Sequence, residues 1–237
     1  MEFFYCVDLS DVSEVVQLSG EESHHLRRVF RKRRGDLIAL SNGKGLLAEA
    51  VIEKDSAQKI SCRIRNLRKI LPPPERRIHL ALSLIRPNRM DWAVEKLAEL
   101  GAGSIQPLLC RFSSIKTFKA EHLRKIAVSA MKQSEQAYLP ELLSPLSFEK
   151  FLRQLPPPES RLRLIAHRAE EAVSFKEIAV KPGQEILIAV GPEGGFSEEE
   201  VTQARESGFR PLKLAGQILR AETAAVVAVA QAKLHLL

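Results

Sequence analysis

The chain has 237 residues, 45% of them apolar and 27% charged, with a formal charge of +7 at pH 7. That is enough apolar material for one large core or two modest ones, and no apolar run approaches the roughly 18 to 20 residues of a membrane span. The N-terminus lacks the charged, apolar and small-residue succession of a signal peptide, so a cytoplasmic protein without a membrane partner is expected.

In chain order, the first chemical signal is "HHLRRVFRKRR", which puts Arg27, Arg28, Arg31, Lys32, Arg33 and Arg34 within eight positions. Such a run is either a solvated charge cluster or a phosphate contact, because counterion displacement by Lys and Arg dominates nucleic-acid affinity. We read it as an RNA contact. "GDLIALSNGKGLLAEAVIEK" predicts two strands joined at Asn42-Gly43, a strong hairpin dipeptide, and another strand region spans Lys59 to Leu67. "LPPPERR", Leu71 to Arg77, predicts a linker, since consecutive prolines extend neither a helix nor a central strand. Residues 1–70 are therefore expected to form a small, mainly β domain, 71–77 a linker and 78–237 a second domain.

Past the linker the texture alternates. "RIHLALSLI" predicts a buried strand and "RMDWAVEKLAELG" a helix, with Met90, Val94, Leu97 and Ala98 or Leu100 on one face and Gly101 at its end. "SIQPLLC" is the next strand, followed by a helix from Lys119 to Ala137 stopped before Pro140. A second proline-rich loop precedes the strands "RLRLIAH" and "EILIAV", and a strand at "PLKL" leads to a helix from Ala221 to Leu234. Strands alternating with helices predict an α/β domain with a parallel sheet, whose ligand lies beyond the carboxyl ends of the strands.

At one such end stands Gly191-Pro192-Glu193-Gly194-Gly195. The spacing fits neither a Walker loop nor a dinucleotide fingerprint, which disfavours a triphosphate or dinucleotide. Glycines let a ligand approach main-chain groups closely, although a plain connection with a solvated Glu193 is the simpler reading. Ser197 and Glu200 have capping-box spacing, so a helix should begin at about Glu198. "LAGQILRAETAA" repeats the pattern: a short strand, a glycine loop, then Arg220 and Glu222 where a helix starts. Glu222 and Thr223 could be cap residues alone, yet two such loops from neighbouring strands would enclose one site. Cys6, Cys62 and Cys110 lack disulfide or zinc spacing and read as buried small hydrophobes, and no metal is expected.

These stretches together resemble the RsmE family of 16S ribosomal RNA uridine-N3 methyltransferases, in the SPOUT superfamily. The resemblance spans nearly the whole chain and rests on "HHLRRVFRKRRGD", "NGKG", "RMDWAVEKLAELG", "KQS" at Lys132 to Ser134, "GPEGGFSEEE" and "ILRAETA". It implies a PUA-like β-barrel joined to a SPOUT-type knotted α/β domain whose C-terminal segment forms a trefoil knot. It also implies S-adenosylmethionine held largely by backbone groups of the two loops. Val190, Gly191, Pro192, Glu193 and Gly194 would form one wall. Leu214, Ala215, Gly216, Ile218, Leu219 and Arg220 would form the other, with Ala166 and His167 at a third strand end.

Uridine N3 carries a proton that must leave as the methyl arrives, placing negative charge on the flanking carbonyl oxygens. The resemblance therefore suggests Arg220 as the stabilising donor and Glu193 or Glu222 as the proton acceptor. It further implies small-subunit ribosomal RNA as partner and a homodimer, for which the apolar C-terminal helix would suit either an interface or a core. The chain departs from the family's L-G-x-R-I-L-R-T-E-T at Ala215, Gln217 and Ala221, and carries Gln136 where an arginine is frequent. Lost arginines remove charge-assisted donors, which keeps open a different RNA target or an RNA-binding module with weakened catalysis.

Overall fold

The computed structural model describes residues 2–56 and 59–236, which fall into two compact units, 1–72 with 128–139, and 73–127 with 140–237. Five strands build the first: β1 (Phe3–Tyr5), β2 (Val15–Ser19), β3 (Leu37–Ser41), β4 (Leu46–Asp55) and β5 (Lys59–Lys69), ordered β1-β3-β4-β5-β2. Only the β1–β3 pair is parallel. Alternating residues such as Ile38, Leu40, Ala50, Ile52, Ile60 and Cys62 point into one core with Phe4, Leu18 and Leu26. Register shifts at Glu49/Ala50 and Ile52/Lys54 interrupt the long β4–β5 ladder, the means by which a sheet bends around its core.

The loop Asn42 to Gly45 closes the β3–β4 hairpin, with Asn42 Oδ1 accepting from the Lys44 and Leu46 amides. Gly45 has φ +96, and a Cβ there would lie 2.4 Å from the Tyr138 hydroxyl oxygen, so glycine is required twice over. Between β2 and β3 comes α1 (Gly20–His24), continued over His25–Val29 by a wider π-type turn in which Phe30 N–H donates to His25 O at 3.0 Å. Arg31 then takes a left-handed φ of 52, which stops the helix inside the basic segment.

The second unit holds β6 (Ile78–Ser83), α2 (Pro87–Glu99), β7 (Ser104–Leu109), α3 (Ala120–Gln133, whose last turns belong to the first unit), β8 (Glu141–Leu142), β9 (Leu146–Ser147), α4 (Phe148–Arg153), β10 (Arg161–Ala166), β11 (Glu185–Val190), α5 (Glu198–Glu206), β12 (Arg210–Leu212) and α6 (Ala221–Leu236). Its seven strands are all parallel, in the order β12-β10-β11-β6-β7-β8 with β9 also on β7. Parallel neighbours need crossovers, which the helices supply. Largely apolar β6 and β11 lie side by side at the centre, buried except at His79 and Glu185, which are half-buried at the amino ends of the two strands.

Helix α2 starts two residues earlier than the apolar spacing predicts because Pro87 fits the first helical position. It ends as expected at Gly101, φ 79, with Ala102 N–H reaching Leu97 O. Helix α3 is shorter than expected. Glu135 adopts φ 54, and the Gln136 amide closes back on Met131 O at 3.0 Å, a C-terminal cap formed without glycine and hence invisible to a search for one. Helix α6 is a core helix, packing Ala224, Ala225, Ala228, Val229 and Ala232 inward and meeting α2, β6 and β11. The three cysteines are buried and free as expected, and burial pushes the Cys62 and Cys110 thiols up to about 12. Among the described residues no helix is long and apolar enough to cross a membrane, and no side-chain cluster could hold a metal ion.

Candidate active site

The strand order sets the site. The chain leaves β6 toward β7 on one side and leaves β11 toward β12 on the other, so the connections reverse between β6 and β11, and the cleft lies on the β11 side of that reversal, at the carboxyl ends of β10, β11 and β12. Parallel α/β sheets bind ligands at such a switch point.

After β11, Gly195 N–H donates to Pro192 O at 2.9 Å and tightens the glycine turn. A Cβ on Gly191 would come within 3.1 Å of the Phe196 ring and 3.2 Å of the Gly195 carbonyl carbon, so a side chain there would need its neighbours to give by a few tenths of an ångström. The predicted capping box is present: Ser197 Oγ accepts from Glu200 N–H at 3.2 Å, and Glu200 Oε2 accepts from Ser197 N–H at 2.9 Å. Glu200 does more than cap. Its other oxygen accepts the Arg111 amide at 2.7 Å, tying the end of β7 to the start of α5 through one buried carboxylate.

The second loop, from Lys213 to Arg220, is held by two side chains. Gln231 of α6 donates to Leu214 O at 3.0 Å, and Arg168, just past β10, donates to Gly216 O at 2.8 Å. The two loops and the end of β10 enclose a cleft of about 320 Å3. Its lining brings together Ala166, His167, Val190, Gly191, Pro192, Glu193, Gly194, Leu214, Ala215, Ile218 and Leu219. Gly216 and Arg220 stand outside that lining: Gly216 faces a neighbouring cavity beside Phe175 and Gln231, and Arg220 is exposed ahead of α6. Gln217, one of the departures from the family pattern, does line the cleft, as do Lys213, Phe196 and Ala224.

Between the carboxylates stands a residue that the sequence reading did not select. Arg89, in the first turn of α2, places Nη1 3.1 Å from Glu193 Oε1 and Nε 3.6 Å from Glu222 Oε1. Glu222 is 8% exposed, and its second oxygen, Oε2, is buried with no hydrogen-bond partner among the described residues. A buried carboxylate oxygen without a hydrogen-bond donor is costly, and such groups are uncommon in folded proteins outside functional sites. The signal for Arg89 lay in "RMDWAVEKLAELG", where an arginine at the start of a helix, against the helix dipole, has no local reason.

In the first unit the six basic residues are not equivalent. Arg27 Nε sits 2.5 Å from Asp55 Oδ1, and Lys32 Nζ sits 2.8 Å from Glu2. Arg28, Arg31, Arg33 and Arg34 are exposed.

Residues 72–233 match the family model of the RNA methyltransferase domain, and residues 18–65 match that of the RNA methyltransferase PUA domain. The ribosomal RNA small subunit methyltransferase E of Synechocystis sp. is 31% identical, over 93% of this chain and 73% of that protein. A probable rRNA methyltransferase from Porphyromonas gingivalis superposes with a TM-score of 0.88 at 32% identity, covering 97% of this chain and 96% of the other. The ribosomal RNA small subunit methyltransferase E from Neisseria gonorrhoeae, solved bound to S-adenosyl methionine, superposes with a TM-score of 0.86 at 30% identity, covering 97% and 95%. With a PUA-type unit, a parallel-sheet unit and two glycine loops at a switch point, the chain belongs to the RNA methyltransferase family that includes ribosomal RNA small subunit methyltransferase E.

Proposed function

We propose that the protein methylates N3 of a uridine in small-subunit (16S) ribosomal RNA, using S-adenosylmethionine and working in the cytoplasm as a homodimer. One observation carries this reading: Arg89 joins Glu193, which lines the cleft both loops enclose, to Glu222 beyond the second loop. The cleft suits the cofactor. Its volume of about 320 Å3 falls in the roughly 300 to 1,000 Å3 range of small-molecule sites, and Gly191 and Gly194 on its lining present backbone without side chains. Val190 to Gly194, Leu214, Ala215, Ile218 and Leu219 would hold the cofactor, with Ala166 and His167 at the third side. When bound, it supplies an electrophilic methyl group on a sulfonium sulfur.

The protein's own task is to position the base and move one proton. Glu222 Oε2 is the acceptor we assign to the N3 proton, because among the described residues it is a buried carboxylate oxygen without a donor. Arg89 orients that carboxylate by occupying its other oxygen, and Glu193 holds Arg89 in turn. Arg220, exposed at the start of α6, is assigned to the RNA side, where its planar fork can donate to a uracil carbonyl oxygen as charge develops there. Arg28, Arg31, Arg33 and Arg34 of the PUA-like unit would take RNA phosphates. The trefoil threading belongs to the same reading, with the Lys213 to Arg220 loop as part of the knot. A second copy would cover the half-buried Val226 and Val227 and the exposed Ile218 and Leu234.

The test is to incubate the protein with S-adenosylmethionine and small subunits, or their naked RNA, from cells lacking this modification, and to assay digests for 3-methyluridine by mass spectrometry. Formation of that nucleoside is expected. A folded protein that yields no methylated nucleoside would sink the proposal.

A further inference from the structure

Resting on that reading, we propose that Phe112 is the platform on which the target base stacks. Among the described residues of the second unit, Trp92 and Phe112 are the aromatic side chains that stand exposed, at 41% and 51%. A single exposed phenylalanine is ordinary by itself. The setting of this one is not.

Phe112 occupies the third position of a tight turn at the carboxyl end of β7, and four hydrogen bonds fix that turn. Ser113 N–H donates to Cys110 O at 3.1 Å, and Cys110 N–H donates to Ser113 Oγ at 2.9 Å. Ser113 Oγ also meets Ser83 Oγ, at the end of β6, at 2.8 Å, and the Arg111 amide donates to the buried Glu200 at 2.7 Å. The fold thus spends buried polar groups on holding an apolar ring at the surface. The ring lies beside the reactive array: a Cβ on Gly194 would come 3.2 Å from Phe112 Cβ and 3.6 Å from Cγ, and Gly194 follows Glu193, the partner of Arg89. A rigid exposed π-face beside Glu193, which Arg89 links to the proton-accepting Glu222, is what a splayed-out base needs, since uridine in structured RNA must leave its own stack to present N3. Stacking on protein aromatics is sequence-tolerant, so Phe112 would hold the base while hydrogen bonds choose it.

The experiment compares wild type with Phe112→Leu, Phe112→Tyr and Phe112→Trp in methylation of naked small-subunit RNA, with S-adenosylmethionine affinity measured in parallel by calorimetry. Phe112→Leu keeps apolar bulk but loses the π-face, and should lower kcat/KM for RNA by about 10- to 100-fold while leaving cofactor affinity unchanged. Tyr and Trp should restore kcat/KM to within about threefold of wild type, a rescue that simple packing would not produce. Full activity in Phe112→Leu would overturn the proposal. So would a parallel loss of cofactor affinity, which would make the ring a prop for Gly194. Wild type that makes no 3-methyluridine would instead overturn the reading on which the proposal rests.

Discussion

Arg89 Nε stands 3.6 Å from Glu222 Oε1, although 133 positions separate the two residues, and the other Glu222 oxygen is buried without a partner among the described residues. That asymmetry makes Glu222 more than a helix-start carboxylate. An N-cap-type residue serves its own helix, whereas this side chain is aimed at an arginine of another.

The first prediction follows directly. Glu222→Gln keeps the shape of the side chain and removes its capacity to take a proton. Methylation at saturating cofactor and RNA should fall by roughly 100-fold or more, while calorimetric affinity for S-adenosylmethionine stays within about threefold, since only the proton-transfer role is removed. Arg89→Met should lower the rate as well, by freeing both carboxylates from their shared partner. An Arg89→Met protein with wild-type kcat would contradict the bridge.

A methyl group on Gly191 would lie 3.1 Å from the Phe196 ring, which itself packs against Phe148 with centroids 5.2 Å apart and so has little freedom to give way. Gly191→Ala should cost about 1 to 3 kcal/mol through overpacking. A thermal scan should register this as a lower Tm, and cofactor titration should show affinity weakened by at least about tenfold, because the added methyl group presses on Phe196 and Gly195, which line the cleft.

RNA binding should depend unequally on the basic segment. Replacing Arg28, Arg31, Arg33 and Arg34 together should weaken binding and flatten the slope of log K against log salt by about 0.7 to 0.9 for each phosphate left unneutralised. Arg27 and Lys32 are engaged with Asp55 and Glu2, so Lys32→Ala alone should leave the slope nearly unchanged. An equal change from both sets would mean that these ion pairs open in the complex.

Glu135 ends α3 with a left-handed φ of 54, and its carboxylate sits at the negative end of the helix dipole. Both features disfavour glutamate there. Glu135→Gly should therefore raise stability by about 0.5 to 1 kcal/mol, after allowing for the greater freedom of glycine in the unfolded chain. Urea denaturation with an unchanged m-value would show it.

His79 makes stability depend on pH. Burial, reinforced by Arg161, holds its imidazole below the ordinary value of 6.5, against the opposing pull of Glu185. The folded chain thus keeps the ring neutral while the unfolded chain takes up a proton. The contribution is complete above about pH 6.5 and is lost as the pH falls from there toward the lower folded pKa. The urea midpoint should drop between pH 7.5 and 5.5, and His79→Gln should drop less over the same interval.

Local chemistry was readable wherever cause and effect lie a few residues apart. The capping box of Ser197 and Glu200, the Gly101 stop of α2, the Asn42-Gly43 hairpin and the alternation of strands and helices all depend on contacts within a turn or on burial period, and all are present. The non-glycine caps at Arg31 and Glu135 escaped notice because a left-handed φ leaves no mark in those residue types.

What the linear chain carried, then, was its elements, its two glycine loops and the family its motifs belong to. The tertiary structure alone decided that Arg89 meets Glu193 across 104 positions, that Gly216 and Arg220 stand outside the cleft while Gln217 lines it, and that Asp55 and Glu2 occupy two of the six cations. The reason is geometric. Turns and caps are fixed by neighbours along the chain, but which side chains share a crevice depends on β10 lying between β11 and β12, and strand order is a property of the packed sheet.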